Sequence, residues 1–378
     1  MATIAVVHPD FSVRGGAEAV SMNVLEALQI DHDVTLFTTV NPNFGALNAY
    51  YNTDVGDVSV VVPGINVVAR QLMGARFGLL KYALCNRAIR SKTDAFDLVV
   101  GTYNELTVDS SCVLYVHHPV YRQPTESLDA REQTSVRRVY ERFCAAIAGV
   151  TDDHLRESTV LANSRWMAAL VDQVYDADAR HLYPPIDTTE FAPLPLDEQE
   201  HGFISIGRLA PDKNTLRNIE IIARVQERGH DVHLHLVGPS HLSDYEETVR
   251  ERAARYDFVY IEEELPRDEL TRMVDTHQYG LHGKENEHFG MVVAEMLAGE
   301  TIPFVPNSGG QREIVDERAE LCYDSVEEAV EKIDAVLSNS SLETEIRSNL
   351  TGASDRFGRD RFRTQIRDIV RDSIDGSE

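Results

Sequence analysis

The sequence predicts an α/β protein built as two Rossmann-like domains, and three observations carry that expectation. At 378 residues the chain exceeds what a single hydrophobic core usually serves, so two domains are expected. Each half alternates short apolar runs with helical stretches, the pattern of a mostly parallel, doubly wound sheet. Between the halves, Pro184, Pro185, Pro193 and Pro195 make the one proline-dense stretch, which reads as an extended connection. The expected division is residues 1–185, residues 186–357 and a terminal helical stretch, 358–378.

In the first half an apolar run over 3–8 ends at Pro9 and is followed by Gly15-Gly16 and a helical pattern over 18–28. Strand, glycine turn and helix open a Rossmann-like unit, although a plain tight turn accounts for two glycines as well. Further strands are expected at 33–37, 58–62, 96–101, 112–116 and 159–162, and a helix over 131–148. His117-His118-Pro119 closes one of these strands, where open α/β sheets place their ligand crevice. In the second half, strands are expected at 203–207, 232–237, 258–261, 279–282 and 301–305. The chain ends in a helix over 360–374.

The charge balance excludes one class of partner. Against 36 Lys+Arg stand 62 Asp+Glu, a formal net charge of −26, whereas a nucleic-acid binder needs a basic face. Only five of the basic residues are lysines: Lys81, Lys92, Lys213, Lys284 and Lys332. An acidic, lysine-poor surface suits a salt-rich cytoplasm, where ions screen self-repulsion; an acidic protein of ordinary salinity is the alternative. Cys85, Cys112, Cys144 and Cys322 show no metal-ligand spacing and read as reduced core thiols. Asp176-Ala177-Asp178 reads as a solvated turn, and no metal is expected in the site. Without a leader or an apolar run of membrane-spanning length, the expected location is cytoplasmic, or peripheral on the inner face of the cell membrane.

One segment reverses the local charge. Residues 58–93 hold Arg70, Arg76, Lys81, Arg87, Arg90 and Lys92 and no acidic residue, together with Leu72, Met73, Phe77 and Leu79. Basic groups with apolar wedges suit an anionic membrane surface or the phosphates of a lipid-linked acceptor. An ordinary helix pair balancing acidic neighbours is the other reading.

The stretch most informative about function is 284–300, KENEHFGMVVAEMLAGE. Glu287 lies in a polar loop, Gly290 stands before an apolar helical run, and Glu295 falls inside that run. A helix start leaves backbone N–H groups unpaired and carries the positive end of the dipole, so Gly290 could grip a phosphate. Glu295 would then lie roughly 8–9 Å farther along, at about 1.5 Å per residue. That separation suits a nucleotide sugar, with Glu287 on hexose hydroxyls, the helix start on the diphosphate and Glu295 on the ribose. Two solvated glutamates on a surface helix are the plain alternative.

The run NEHFGMVVAEMLAGETIPFVPNSGGQREIV resembles the signature of the family-4 retaining glycosyltransferases. The resemblance implies the GT-B fold, in which two Rossmann-like domains face a central cleft. More narrowly, Asn286-Glu287-His288-Phe289-Gly290 and Asn307-Ser308-Gly309-Gly310 resemble the α-1,2-mannosyltransferases that extend dolichol-linked oligosaccharide. GRLAPDKN resembles the family's diphosphate clamp, which assigns Arg208 and Lys213 to the leaving phosphates. The resemblance further implies that Gly15 and Gly16 approach the donor diphosphate and that His117 lies near the transferred sugar. It sets His288, Phe289, Gly290 and Glu295 around the donor, with His282, Gly309 and Gly310 as supporting neighbours. Implied partners are a GDP- or UDP-linked sugar and a polyprenyl-linked or other glycan, with no cofactor. A transferase acting on a soluble acceptor, a nucleotide-sugar epimerase of the same fold and a silent sugar-nucleotide sensor are the competing readings.

Overall fold

The computed structural model describes residues 1–62, 78–90, 92–108, 110–122, 135–239, 244–263, 265–350 and 352–376. The chain divides into two compact units, Met1–Pro185 with Arg359–Glu378, and Ile186–Gly358.

The first unit is a parallel sheet of seven strands: β1 (Thr3–Val7), β2 (Asp33–Phe37), β3 (Val58–Val61), β4 (Leu98–Gly101), β5 (Cys112–Val116), β6 (Thr159–Ala162) and β7 (Arg180–His181). Their order is β3-β2-β1-β4-β5-β6-β7. β1, β4 and β5 are buried on both faces, as their near-continuous apolar sequences require of strands covered by helices on either side. Helix Gly16–Leu28 packs through Val20, Val24 and Leu25 into a core shared with Phe362, Ile366 and Val370 of the terminal helix Arg359–Asp375. Arg363 fastens that helix by donating to Asn23 Oδ1 at 2.8 Å and pairing with Glu26.

The second unit repeats the plan with β8 (Glu200–Ile206), β9 (His233–Val237), β10 (Val259–Glu262), β11 (His277–Leu281), β12 (Ile302–Pro306) and β13 (Cys322–Tyr323). All its pairings are parallel and the order is β10-β9-β8-β11-β12-β13. Both sheets therefore reverse direction beside their first strand, between β1 and β4 and between β8 and β11. Crevices at the carboxyl ends of such switch points are where doubly wound sheets bind ligands.

The two-residue strands β7 and β13 have no counterpart in the sequence reading, because they are too short to show a period. β8 begins at Glu200 rather than 203, since its first residues are polar.

The basic segment 58–93 is described only in part. Arg70 and Arg76 lie outside the described residues. Lys81 is half-buried on helix Gly78–Arg90, which packs through Tyr82 and its neighbours against helix Ser135–Ala148. Among the described residues, no helix is long and apolar enough to cross a membrane.

Candidate functional site

The switch point of the second unit gathers the residues that the sequence singles out. Lys213 follows β8, while His282 and Glu287 follow β11. Lys213 Nζ donates to Glu287 Oε2 at 2.9 Å, across 74 residues of chain. Lys284 Nζ lies 3.4 Å from Glu287 Oε1, and His282 Nε2 lies 3.5 Å from Oε2. Burial alone would push the Glu287 carboxyl up. His282, Lys213 and Lys284 outweigh it and hold the group well below the usual carboxylate range. Burial lowers the pKa of His282, and the two lysines act in the same direction against Glu287. The cluster thus sets two ammonium groups and a neutral imidazole around one ionised carboxylate, a formal excess of one positive charge.

The loop Asn307–Gly310 fixes the position of Glu287. Gly309 has φ +75°, and a Cβ there would lie 2.4 Å from the carbonyl oxygen of Glu287 and 2.6 Å from its nitrogen. Only glycine permits both the left-handed backbone and this approach. Gly310 N donates to Glu287 O at 2.8 Å, and Asn286 N donates to Ser308 Oγ at 2.9 Å. The buried amide of Gln311 donates to the carbonyls of Lys284 and Ser308, joining the two loops. Gly283 has a similar role, because a Cβ there would meet Lys213 O at 2.4 Å.

Gly290, at φ +101°, caps helix Met291–Ala298, and no side chain caps that end. Phe289 turns inward, buried and edge-on to Phe357 with ring centroids 5.6 Å apart. His288 is half-buried between Glu287 and Phe289.

Two placements differ from the simplest version of the sequence reading. Arg208 is exposed, with Nη2 3.6 Å from Asp212 Oδ2, so the structure puts Lys213 but not Arg208 on Glu287. Glu295 is already engaged: Arg267 Nη2 lies 2.9 Å from Glu295 Oε1 and 2.8 Å from Glu190 Oε2. Burial opposes the charge on Arg267, but Glu295 and Glu190 more than offset this and raise its pKa. Arg267 was missed because it stands in a charged stretch, PRDEL, that reads as an ordinary helix start. Lys284 and Gln311 lie in the stretches already quoted, and only the folded loops reveal what they hold.

In the first unit, Gly15 caps helix Gly16–Leu28 in extended backbone. Its N–H already donates to Glu18 Oε2 at 3.1 Å, so the helix start is met by the chain's own carboxylate. His8, after β1, is fully buried, with Nδ1 3.1 Å from Thr102 Oγ1, after β4. His117 follows β5. Its N–H donates to Asn104 Oδ1 at 3.1 Å, as does that of His118, and its Nε2 lies 3.3 Å from Thr102 O. Asn104, which the sequence reading passed over, fixes the turn that carries both histidines.

Residues 187–352, nearly the whole second unit, match the family described as glycosyl transferases group 1, and the fold is GT-B. Curated relatives are the GDP-Man:Man(3)GlcNAc(2)-PP-Dol alpha-1,2-mannosyltransferases. The mouse protein is 27% identical over 226 residues, 54% of this chain and 46% of its own. The human protein is 27% identical over 252 residues, 61% and 51% of the two chains. This chain spans about half the length of the curated relatives it matches. Among solved structures, Anabaena Alr3699/HepE in complex with UDP and glucose has a TM-score of 0.69 at 16% identity, covering 98% of this chain and 99% of that one. WaaG, a glycosyltransferase involved in lipopolysaccharide biosynthesis, has a TM-score of 0.69 at 17% identity, covering 97% and 99%. At such identities the likeness is one of fold.

Proposed function

We propose that the protein is a retaining glycosyltransferase that moves a hexose, mannose in the favoured reading, from a GDP- or UDP-linked donor to a polyprenyl-linked glycan. The observation that carries this reading is the Lys213–Glu287–Lys284 cluster at the switch point, beside the uncapped helix start at Gly290. Departure of a sugar from a nucleoside diphosphate builds negative charge on the leaving oxygens, and cations fixed beforehand lower that barrier. Lys213 and Lys284 supply two positive charges against the one on Glu287, and Arg208, exposed nearby in sequence, can swing its guanidinium onto a phosphate. Glu287, held ionised, accepts hydrogen bonds from hexose hydroxyls.

With His282 neutral and Glu287 a weak base, the departing phosphate oxygen itself takes the acceptor proton. The new bond then forms on the face that the old one leaves, and the anomeric configuration is retained without a metal. The names of the curated relatives support mannose, GDP and a lipid-linked acceptor. An anionic membrane face belongs to the same reading: helix Ser135–Ala148 exposes Val139 and Phe143 at 66% and 56%, flanked by Arg138 and Arg142. Liposome flotation tests that part, and it fails if replacing Arg70, Arg76 and Lys81 by glutamine leaves binding to anionic vesicles unchanged.

The central experiment incubates the protein with labelled GDP-mannose and UDP-hexoses in high salt, which suits the acidic composition, with polyprenyl-linked and soluble acceptors in parallel. Transfer, or slow donor hydrolysis, supports the reading, and the acceptor used separates lipid-linked from soluble substrates. Inversion at C2 would make the protein an epimerase, and binding without turnover a sensor. Parent-like turnover by the Arg208→Ala, Lys213→Ala double variant would refute the clamp.

A further inference from the structure

A second group of chemistry-bearing side chains lies at the opposite ends of the strands in the second unit. Glu200, His233 and His277 are the first residues of β8, β9 and β11, and His235 is two residues further along β9. Each offers one ligand atom, and the four atoms lie within 4.8 Å of one another. His233 Nε2 stands 3.2 Å from Glu200 Oε2 and 3.4 Å from His277 Nε2. An ion with metal–nitrogen distances of about 2.0–2.1 Å in tetrahedral geometry separates its ligand atoms by about 3.3 Å. These two separations match edges of a four-coordinate site.

The surroundings direct the ring nitrogens. His277 Nδ1 lies 2.7 Å from the carbonyl oxygen of Met273, to which it donates, so Nε2 keeps its lone pair toward His233. His235 Nδ1 lies 3.2 Å from Glu262 Oε1, which orients that ring in the same way. Metal-binding histidines are held through their other nitrogen by such carbonyls and carboxylates. Gly202, opposite His233 in the β8–β9 register, leaves the ring its space: a Cβ there would lie 2.2 Å from His233 Nε2. Glu200, with a side chain 53% exposed, supplies the negative charge and leaves a way in from solvent.

We propose that Glu200, His233, His235 and His277 form a divalent-metal site, of a kind that suits Zn²⁺, which ties β8, β9 and β11 together at the end of the sheet away from the Lys213–Glu287 cluster. Three imidazoles and a carboxylate fill a tetrahedral shell, the closed form of a structural zinc site. The site takes no part in sugar transfer and does not depend on the proposed function.

The test uses the tag-free full chain, stripped with a chelator and dialysed against Zn²⁺. About one ion per chain is expected, with a rise in melting temperature on adding Zn²⁺ and, with Co²⁺, the intense visible absorption of a tetrahedral site. His233→Asn and Glu200→Gln, both at partly exposed positions, should each weaken Zn²⁺ binding at least tenfold and abolish the melting shift while leaving the circular dichroism unchanged. No binding by the parent at micromolar free Zn²⁺, or equal binding by both variants, would overturn the site. The four residues would then be a metal-free network in which one N–H is shared between His233 and His277. An octahedral Co²⁺ spectrum would overturn the four-coordinate geometry.

Discussion

Gly309→Ala is the sharpest perturbation of the candidate site. Alanine at φ +75° costs about 1–2 kcal/mol for the left-handed backbone alone. Its Cβ would also stand 2.4 Å from Glu287 O, 2.6 Å from Glu287 N and 2.9 Å from Asn286 C. Because every atom struck is backbone, no side chain can swing away. Restoring ordinary contact requires a displacement of roughly 1 Å, and the segment displaced is the one that carries Glu287. A misplacement of about that size costs on the order of 10²-fold in rate. A stability loss of about 2 kcal/mol lowers the melting temperature by roughly 4–8 °C in a unit of this size. Gly229→Ala is the matched control: φ is +98°, but a Cβ there meets nothing within 4 Å. Both variants should melt early, and only Gly309→Ala should lose kcat/KM in the sugar-transfer assay. Transfer by Gly309→Ala within threefold of the parent would refute the claim that this glycine positions Glu287.

Lys213→Ala should lower kcat by about 10²-fold, as removal of a fixed donor to a developing anion does, and titration calorimetry should show weaker binding of the donor diphosphate. Arg267→Ala leaves Glu190 and Glu295 without their shared cation; a loss of about 2–3 kcal/mol in urea unfolding is expected, with a raised donor KM as Glu295 shifts. Stability should also depend on pH in two steps. His282 has a native pKa below 6.5, so the unfolded chain takes up its proton first; the His282 contribution is complete above pH 6.5 and is lost as pH falls toward the native value. Glu287 is depressed below 4.5, so its contribution is present above pH 4.5 and is lost as pH falls through the lower native value. Urea midpoints measured against pH should show a smaller upper step in His282→Gln than in the parent, the remainder belonging to the other histidines that burial holds low, His233 and His277 among them; a parallel pair of curves would count against the assignment.

Much of the fold was legible because a strand buried on both faces announces itself locally. Residues 33–37, 112–116 and 159–162 are strands with the expected ends, since apolar runs bounded by polar residues leave little choice. The strands that begin with polar residues were read late: Glu200 and His277 each start a strand some residues before the apolar pattern does. Those polar residues, with His233 and His235, make up the proposed metal site. The His233-Leu234-His235 alternation was the one visible hint of it, because period two puts both rings on one face of a strand.

The sequence by itself determined the two α/β units and the glycine turns and singled out Lys213, Glu287 and Gly290 as candidates, because each rests on patterns a few residues long. Only the tertiary structure decided which groups meet. Lys213 reaches Glu287 across 74 residues, Gly309 bears on the Glu287 backbone, Arg267 occupies Glu295, and Glu18 takes the N–H of Gly15. Such pairings depend on the order and register in which parallel strands assemble, and that order is set by long-range packing of helices on both faces of each sheet.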